Sequence, residues 1–379
     1  MDKKFLAIIF SISFLFTSCK KDETITSPGS NSNPAGKIFF QYIELDSRII
    51  NIEAIYSIDL SNLELPIRPL ILGRHTFCVS PNGNTIAYVE DPPDYVLGLS
   101  NHEIFTMSID GTNKVLLKQF FCRQIYSLDW SPDSKKLVFD YYVYRWSICS
   151  INSDGTVFRS ITDSTNSFTG AIAPRWSPNG NSIACETWND ATLAQLSRPD
   201  SLGILSPNGT GYRVLAQSSR GYFPQWSQDG KKIAFSMVNA YYGGLYIVDI
   251  NSSAIPVEIS PPAGQILFAY SLQWLPDNRL VCVGRNLNDS TYSINIVPAN
   301  SSSGVKQIAN GFKAAEVLYS SPSVLCSSDG QKVVVLGSRG NDTFSLYIMR
   351  PDGSDFQRVK ILSNSSTASA LPGICRWVQ

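Results

Sequence analysis

The chain has 379 residues, 43% of them hydrophobic and 16% charged, with 31 basic and 31 acidic side chains and a formal net charge of zero. That length and apolar content suffice for a large buried core, and the charge balance lacks the basic footprint of a nucleic-acid binder. Two histidines, His75 and His102, are too few for a three-histidine metal centre, and no Gly-x-Ser-x-Gly elbow marks a hydrolase nucleophile.

In chain order, the first feature is an address. Lys3 and Lys4 precede an apolar run from Phe5 to Phe16 that is too short to span a membrane permanently, which reads as a signal peptide. Phe16-Thr17-Ser18-Cys19 follows and resembles the lipobox of bacterial lipoproteins. The resemblance implies acylation of Cys19, which becomes the mature first residue. Two or three acyl chains make a stable anchor. Lys20 stands where an inner-membrane retention signal would have Asp. The expectation is therefore an outer-membrane lipoprotein facing the periplasm or the cell surface. Residues 1–18 are read as signal peptide, 19–36 as acylated Cys and flexible polar tether, and 37–379 as one folded domain.

That domain is written as a repeat. Val79-Ser80-Pro81-Asn82-Gly83, Trp130-Ser131-Pro132-Asp133, Trp176-Ser177-Pro178-Asn179-Gly180, Trp226-Ser227-Gln228-Asp229-Gly230, Trp274-Leu275-Pro276-Asp277 and Cys326-Ser327-Ser328-Asp329-Gly330 are copies of one phrase, and Arg376-Trp377-Val378 is a truncated last copy. A spacing near fifty residues, dense in short strands, indicates a propeller or a similar array. Each phrase is a turn: Pro pre-sets φ, Asp or Asn tolerates the tight geometry and Gly accepts positive φ. An apolar strand starts six residues after the Ser, as in Ile86-Ala87-Tyr88 and Ile233-Ala234-Phe235. In the fifth copy Leu280 comes one residue early. A variable loop, a third strand such as Leu245-Tyr246-Ile247-Val248, and a second turn such as Asp154-Gly155-Thr156 or Asp352-Gly353-Ser354 complete the unit before a fourth strand. Lys37 to Phe40 matches a second strand, Ile55 to Asp59 a third and Ile67 to Leu72 a fourth. Ile374 to Val378 can supply the missing first strand. The expected fold is an all-β propeller of four-stranded blades, seven in number, with six or eight as the alternatives, closed by the C-terminal strand pairing with the N-terminal ones.

The phrase, the Ile-Ala-Phe strand and the Asp-Gly-Thr turn together resemble the TolB-like β-propeller repeats, over residues 37 to 378. The resemblance implies a secreted or periplasmic propeller that binds proteins or carbohydrates. TolB itself carries a separate α/β domain before its propeller, for which this chain has no room.

In such a blade both short turns lie on one face and the variable loops on the other, where function usually sits; the loops read there include Glu90 to His102, Glu186 to Ser201 and Phe268 to Tyr270. The expected ligand site on that face comprises Trp188, Arg220, Tyr222, Phe223, Tyr241, Tyr242, Tyr270, Arg285 and Arg339, because rings supply contact area and Arg supplies directional donors. The expected function is a membrane-anchored, non-enzymatic binding or scaffold module of the cell envelope, monomeric, with a protein or glycan partner, no nucleic acid, no cofactor and no metal. One alternative is a polysaccharide-acting lyase or glycosidase using carboxylates among Asp91, Asp94, Glu186, Asp190 and Asp200. Another is a TolB-like envelope-integrity partner. No catalytic residue is assigned. Seven cysteines remain after Cys19. An odd count argues against a full disulfide framework, and Cys185, Cys282 and Cys326 occupy positions that other copies give to apolar residues.

Overall fold

The structure, a computed structural model, describes residues 36–45, 51–64, 67–72, 76–91, 99–162, 170–188, 201–217, 224–239, 242–251, 255–298, 301–313, 322–340, 343–362 and 369–378. The chain divides into two units, 1–33 and 34–379. The first, with Cys19 and the signal peptide read there, lies outside the described residues.

The second unit is an all-β propeller of antiparallel four-stranded blades. β1 (Lys37–Leu45), β2 (Asn51–Asp59) and β3 (Arg68–Leu72) begin it. The second sheet is β4 (Phe77–Val79), β5 (Thr85–Glu90), β6 (Ser100–Ser108) and β7 (Val115–Cys122). The third is β8 (Leu128–Trp130), β9 (Lys136–Tyr142), β10 (Trp146–Asn152) and β11 (Arg159–Ser160). The fourth is β12 (Gly170–Trp176), β13 (Ile183–Trp188), β14 (Ser201–Leu205) and β15 (Arg213–Gln217). The fifth is β16 (Gln225–Trp226), β17 (Lys232–Asn239), β18 (Tyr242–Asp249) and β19 (Val257–Glu258). Two further sets, β20 (Gln265–Trp274) to β23 (Lys306–Lys313) through β21 (Leu280–Asn286) and β22 (Tyr292–Val297), and β24 (Ser323–Cys326) to β27 (Gln357–Ile361) through β25 (Val333–Arg339) and β26 (Ser345–Met349), merge into one eight-stranded sheet. The merger is the pairing of Phe312 with Arg339 and Lys313 with Ser338. The last strand, β28 (Ser369–Val378), pairs antiparallel with β1, Lys37 opposite Val378 and Phe40 opposite Cys375. Five blades are thus separate four-stranded sheets.

The hydrophobic core lies between sheets. Ala87, Ile104 and Phe120 of the second sheet pack with Leu128, Trp130 and Phe139 of the third, and the pattern repeats along the chain. Ile38, Phe40 and Ile58 of β1 and β2 pack with Leu325, Val334 and Leu346 of β24, β25 and β26. Burial of such side chains contributes about 25 cal/mol per Å² of apolar surface.

The repeated phrase is built by local hydrogen bonds. The Ser131 hydroxyl donates to Asp133 Oδ1 (2.6 Å) while its oxygen accepts from the Lys136 N–H (2.9 Å). Ser80, Ser177, Ser227 and Ser327 repeat this with Asn82, Asn179, Asp229 and Asp329. In the fifth copy Leu275 has no hydroxyl and its N–H reaches Arg279 O, one residue nearer, so the shorter turn read from the sequence is present. The Trp of the phrase joins successive copies. Trp130, Trp226 and Trp274 donate their indole N–H to the carbonyls of Cys78, Arg175 and Gln225. Each acceptor directly precedes the equivalent position of the preceding copy. Trp176 is the exception: its backbone N–H donates to Asp129 Oδ2 (2.8 Å), and its buried indole N–H has no partner among the described residues.

Glycine in the second turn meets two demands. Gly155 and Gly353 have φ of +80° and +89°. A Cβ on them would stand 2.8 Å from Leu117 O on β7 and 2.7 Å from Ile308 O on β23, each the last strand of the preceding four.

Several boundaries differ from the sequence reading. His102 and Ser201 lie in strands, not loops. The segment Phe268 to Tyr270 lies inside β20, where the pairing with β21 shifts between Phe268 and Leu272. A bulged strand breaks its apolar alternation, and a broken alternation reads as a loop.

Candidate functional site

The turn face is the same from copy to copy, so the opposite face carries the differences. There β9 and β10 are joined by a tight connection in the third sheet, with Trp146 opposite Tyr142. The Trp146 ring stacks on Tyr142 (centroids 4.7 Å, planes 17° apart) and on Tyr126 (5.0 Å, 24°), which comes from the segment entering β8. The Arg123 guanidinium stands 5.8 Å from the Tyr142 centroid. Trp146 is half-buried, whereas Tyr126 is 52% and Tyr144 88% exposed. Stacked pairs of this kind contribute about 0.5–1.5 kcal/mol each beyond burial.

The stack is pinned from beneath. Asp140, fully buried on β9, accepts at Oδ1 from the N–H groups of Tyr126 (2.6 Å) and Ser127 (3.0 Å). At Oδ2 it accepts from the Ser127 hydroxyl (2.6 Å) and from the Ala173 N–H (3.1 Å) in the fourth sheet. Ala173 holds a positive φ of 52°, a strained position for a residue with a Cβ. Burial pushes the Asp140 carboxyl above the ordinary carboxylate value, against the four donors that hold it down. From the other side, the Thr76 hydroxyl donates to Tyr126 O (3.0 Å). Tyr126 is therefore held at its amide by Asp140 and at its carbonyl by Thr76.

A second cluster lies at the start of β6. His102 is wholly buried. Its Nδ1 is 2.7 Å from Asp91 Oδ1 and its Nε2 3.0 Å from Ser100 Oγ. Among the described residues no group of three or more His, Cys, Asp or Glu is placed to hold a metal ion.

The expected ligand residues are placed unevenly. Trp188, at the end of β13, is 5% exposed. Its Cε3 lies 3.1 Å from where Gly170 would carry a Cβ, and that position is 3.5 Å from Trp146 O. Trp188 is thus a buried wall beside the stack and not an open stacking ring. Glu186 is buried as well. Arg339 donates through Nε to Asn310 O (2.7 Å) and lies over Phe356 at 4.6 Å. Exposed Arg285 reaches Ser290 Oγ at 3.4 Å. Both stand in the eight-stranded sheet, two or more sheets along the chain from Trp188. Arg220, Tyr222, Phe223 and Tyr241 lie outside the described residues. Tyr242 begins β18 and Tyr270 lies in β20, and neither side chain is among those described. The residues that sequence reasoning missed are Tyr126, Tyr142, Tyr144 and Trp146. The run Tyr141-Tyr142-Val143-Tyr144-Arg145-Trp146, three tyrosines and a tryptophan across one short connection, was the available signal.

The cysteines are mostly interior. Cys122, Cys149, Cys185 and Cys282 are buried free thiols, and burial pushes Cys122, Cys149 and Cys282 up to about 12.

No protein-family model matches the chain, and no curated protein matches it in sequence. Its fold is similar to that of TolB from Acinetobacter baumannii, at 17% identity and a TM-score of 0.51 over 89% of this chain and 82% of that one. It is also similar to oligogalacturonate lyase from Vibrio parahaemolyticus, at 12% identity and a TM-score of 0.56 over 88% of each chain. The β-propeller domain of the Trilobed protease from Pyrococcus furiosus, whose topology is an open velcro, aligns at 13% identity and a TM-score of 0.59 over 87% of this chain and 96% of that domain. The fold is that of a TolB-like β-propeller. Proteins of such different activities share it, so the fold alone selects no activity.

Proposed function

We propose that this chain is a docking propeller of the bacterial envelope, anchored through Cys19, whose partner is a protein bound on the face that carries Tyr126 and Tyr144. The observation that carries this reading is the Tyr126–Trp146–Tyr142 stack with Arg123 against it, held rigid by Asp140. Tyr, Trp and Arg are the residues that dominate protein hot spots. A rigid aromatic group gives contact area at small entropic cost. Trp146 already stacks on two tyrosine rings, which leaves it less free to take a sugar ring and favours protein over glycan. The lipobox-like Cys19 and the resemblance to periplasmic propellers support the location. Pairing of β28 with β1, and a run of inter-sheet cores that ends with β24–β26 packed on β1 and β2, support a closed ring of seven blades.

The test uses the full-length protein in its native envelope, with a photo-crosslinking amino acid at Tyr144 or, on the turn face, at Asn113. A discrete adduct from position 144 alone, lost when Tyr126 is changed to Ala, is the expected result. An adduct from position 113 alone, equal adducts from both, or none from 144 would overturn it. For the anchor, labelled fatty acid should enter the wild type and not Cys19→Ala.

A further inference from the structure

We propose that Ser100, His102 and Asp91 form a nucleophile–base–orienter relay that accepts the acyl group of a short ester. The proposal stands apart from the protein-docking reading and survives or fails without it. Asp91 follows Glu90, which pairs with Glu103, so the chain brings Asp91 beside His102 at the end of the β5–β6 ladder. Ser100 lies two residues before His102 on β6, hence on the same face of that strand. The two hydrogen bonds form one line: Asp91 Oδ1 to Nδ1 at 2.7 Å, and Nε2 to Ser100 Oγ at 3.0 Å.

The chemistry of the partners fixes the protons. An ionised carboxylate can only accept, so Nδ1 carries the hydrogen and donates it to Asp91. Nε2 then presents its lone pair, and the Ser100 O–H donates to it. This is the tautomer a general base needs, with the hydroxyl already aimed at it. Exposure grades along the line. His102 is wholly buried, Ser100 is partly open and Asp91 is about half open. A base shielded from water beside a reachable hydroxyl suits acyl transfer, and the limited opening at Ser100 admits a small acyl group. Cys122, paired in register with Ser100, does not compete, because burial holds its thiol protonated.

The step balances without any oxidant or cofactor. Ser100 Oγ bonds to the ester carbonyl carbon as its proton passes to His102 Nε2. The bond to the leaving alcohol breaks, and that alcohol takes the proton from His102. Water then attacks the acyl-serine, gives its proton through His102, and releases the carboxylic acid with Ser100 restored.

The experiment treats the full-length protein with a fluorophosphonate, which phosphonylates activated serines, and locates the adduct by mass spectrometry. One adduct, on Ser100, is expected, with none in Ser100→Ala. Asp91→Asn should slow it by roughly 10²–10⁴-fold while near-ultraviolet circular dichroism stays unchanged. A burst of p-nitrophenol from p-nitrophenyl acetate, and none from the palmitate ester, should accompany it. No adduct on Ser100, an adduct on another serine, or an unchanged rate in a folded Asp91→Asn protein would overturn the proposal. If Asp91→Asn fails to fold, the wild-type adduct and its absence in a folded Ser100→Ala protein decide.

Discussion

Single residues explain why the repeat tolerates variation at some copies and not at others. Trp226 and Trp176 occupy the same place in the phrase, yet only Trp226 donates its indole N–H across to the preceding copy. Changing Trp226 to Phe removes ring volume and strands a carbonyl of the neighbouring strand, whereas Trp176→Phe removes volume and relieves an unpaired donor. A net hydrogen bond is worth about 0.5–1.5 kcal/mol. The first variant should therefore lose about 1 kcal/mol more than the second in urea unfolding. Equal losses would mean that the indole bonds contribute nothing to the stability of the fold.

The carboxylates set the acid limit of the fold, and their signs differ. Hydrogen bonds from Thr112, Ser131, Thr156, Ser327 and Ser354 hold Asp110, Asp133, Asp154, Asp329 and Asp352 below the ordinary carboxylate value. A group whose folded value is depressed contributes stability that is complete above its unfolded value, about 3.9, and disappears as pH falls through the folded value. Asp140 runs the other way. Burial raises it, so the fold binds that proton before the unfolded chain does, and acid favours the fold at this one position. Melting temperature should fall below about pH 4, and Asp133→Asn with Asp154→Asn should flatten that fall. An unaltered acid limb in the double variant would remove the turns as its cause.

At the scale of elements, the two turns of each blade do different things. The first closes on itself through Ser and Asp, and the second presses a glycine onto the outer strand of the blade before it. Gly155→Ala adds both a positive-φ penalty of about 1–2 kcal/mol and a collision with Leu117 O. Gly340→Ala, at φ +60° with no atom within 4 Å of the added carbon, adds only the first. Gly155→Ala should therefore be clearly the more destabilising of the two, and similar unfolding midpoints would refute the fit between turn and strand.

These turns were legible in the sequence because everything that makes them lies within six residues. The fold followed from them, since an unbroken spacing of turns leaves strands between. The site was not legible for the opposite reason. Tyr126 meets Trp146 only because Asp140 bends one segment onto another, and Asp91 meets His102 through strand register across eleven positions. Trp188 looked like a loop residue because Glu186 to Ser201 contains few apolar residues, but β13 runs on to Trp188 and buries it beside Gly170. Composition reports that aromatic residues lie near a connection, and only packing decides which of them face solvent.

For the whole molecule, the decisive pairing is that of the two ends. β28 covers one side of β1 while β2 covers the other. Deleting residues 369–379 leaves β1 an open edge facing solvent, a template for pairing with other chains. That truncation should aggregate or melt well below the full protein, whereas deleting residues 20–35 should change neither property. A truncated protein that stays monomeric with an unchanged melting temperature would show that β1 needs no partner there.

The same pairing imposes an order in time. Lys37 leaves the ribosome long before Val378, yet they are opposite one another in the finished sheet. Contacts so distant in sequence form slowly, because the loop between them must close before they gain anything. During synthesis the first strand therefore waits with one side unmade, and a chain that stops before residue 369 cannot make that pairing. In refolding experiments, the slowest phase should report docking of β28, and a synthetic peptide of residues 369–378 added during refolding should compete with it.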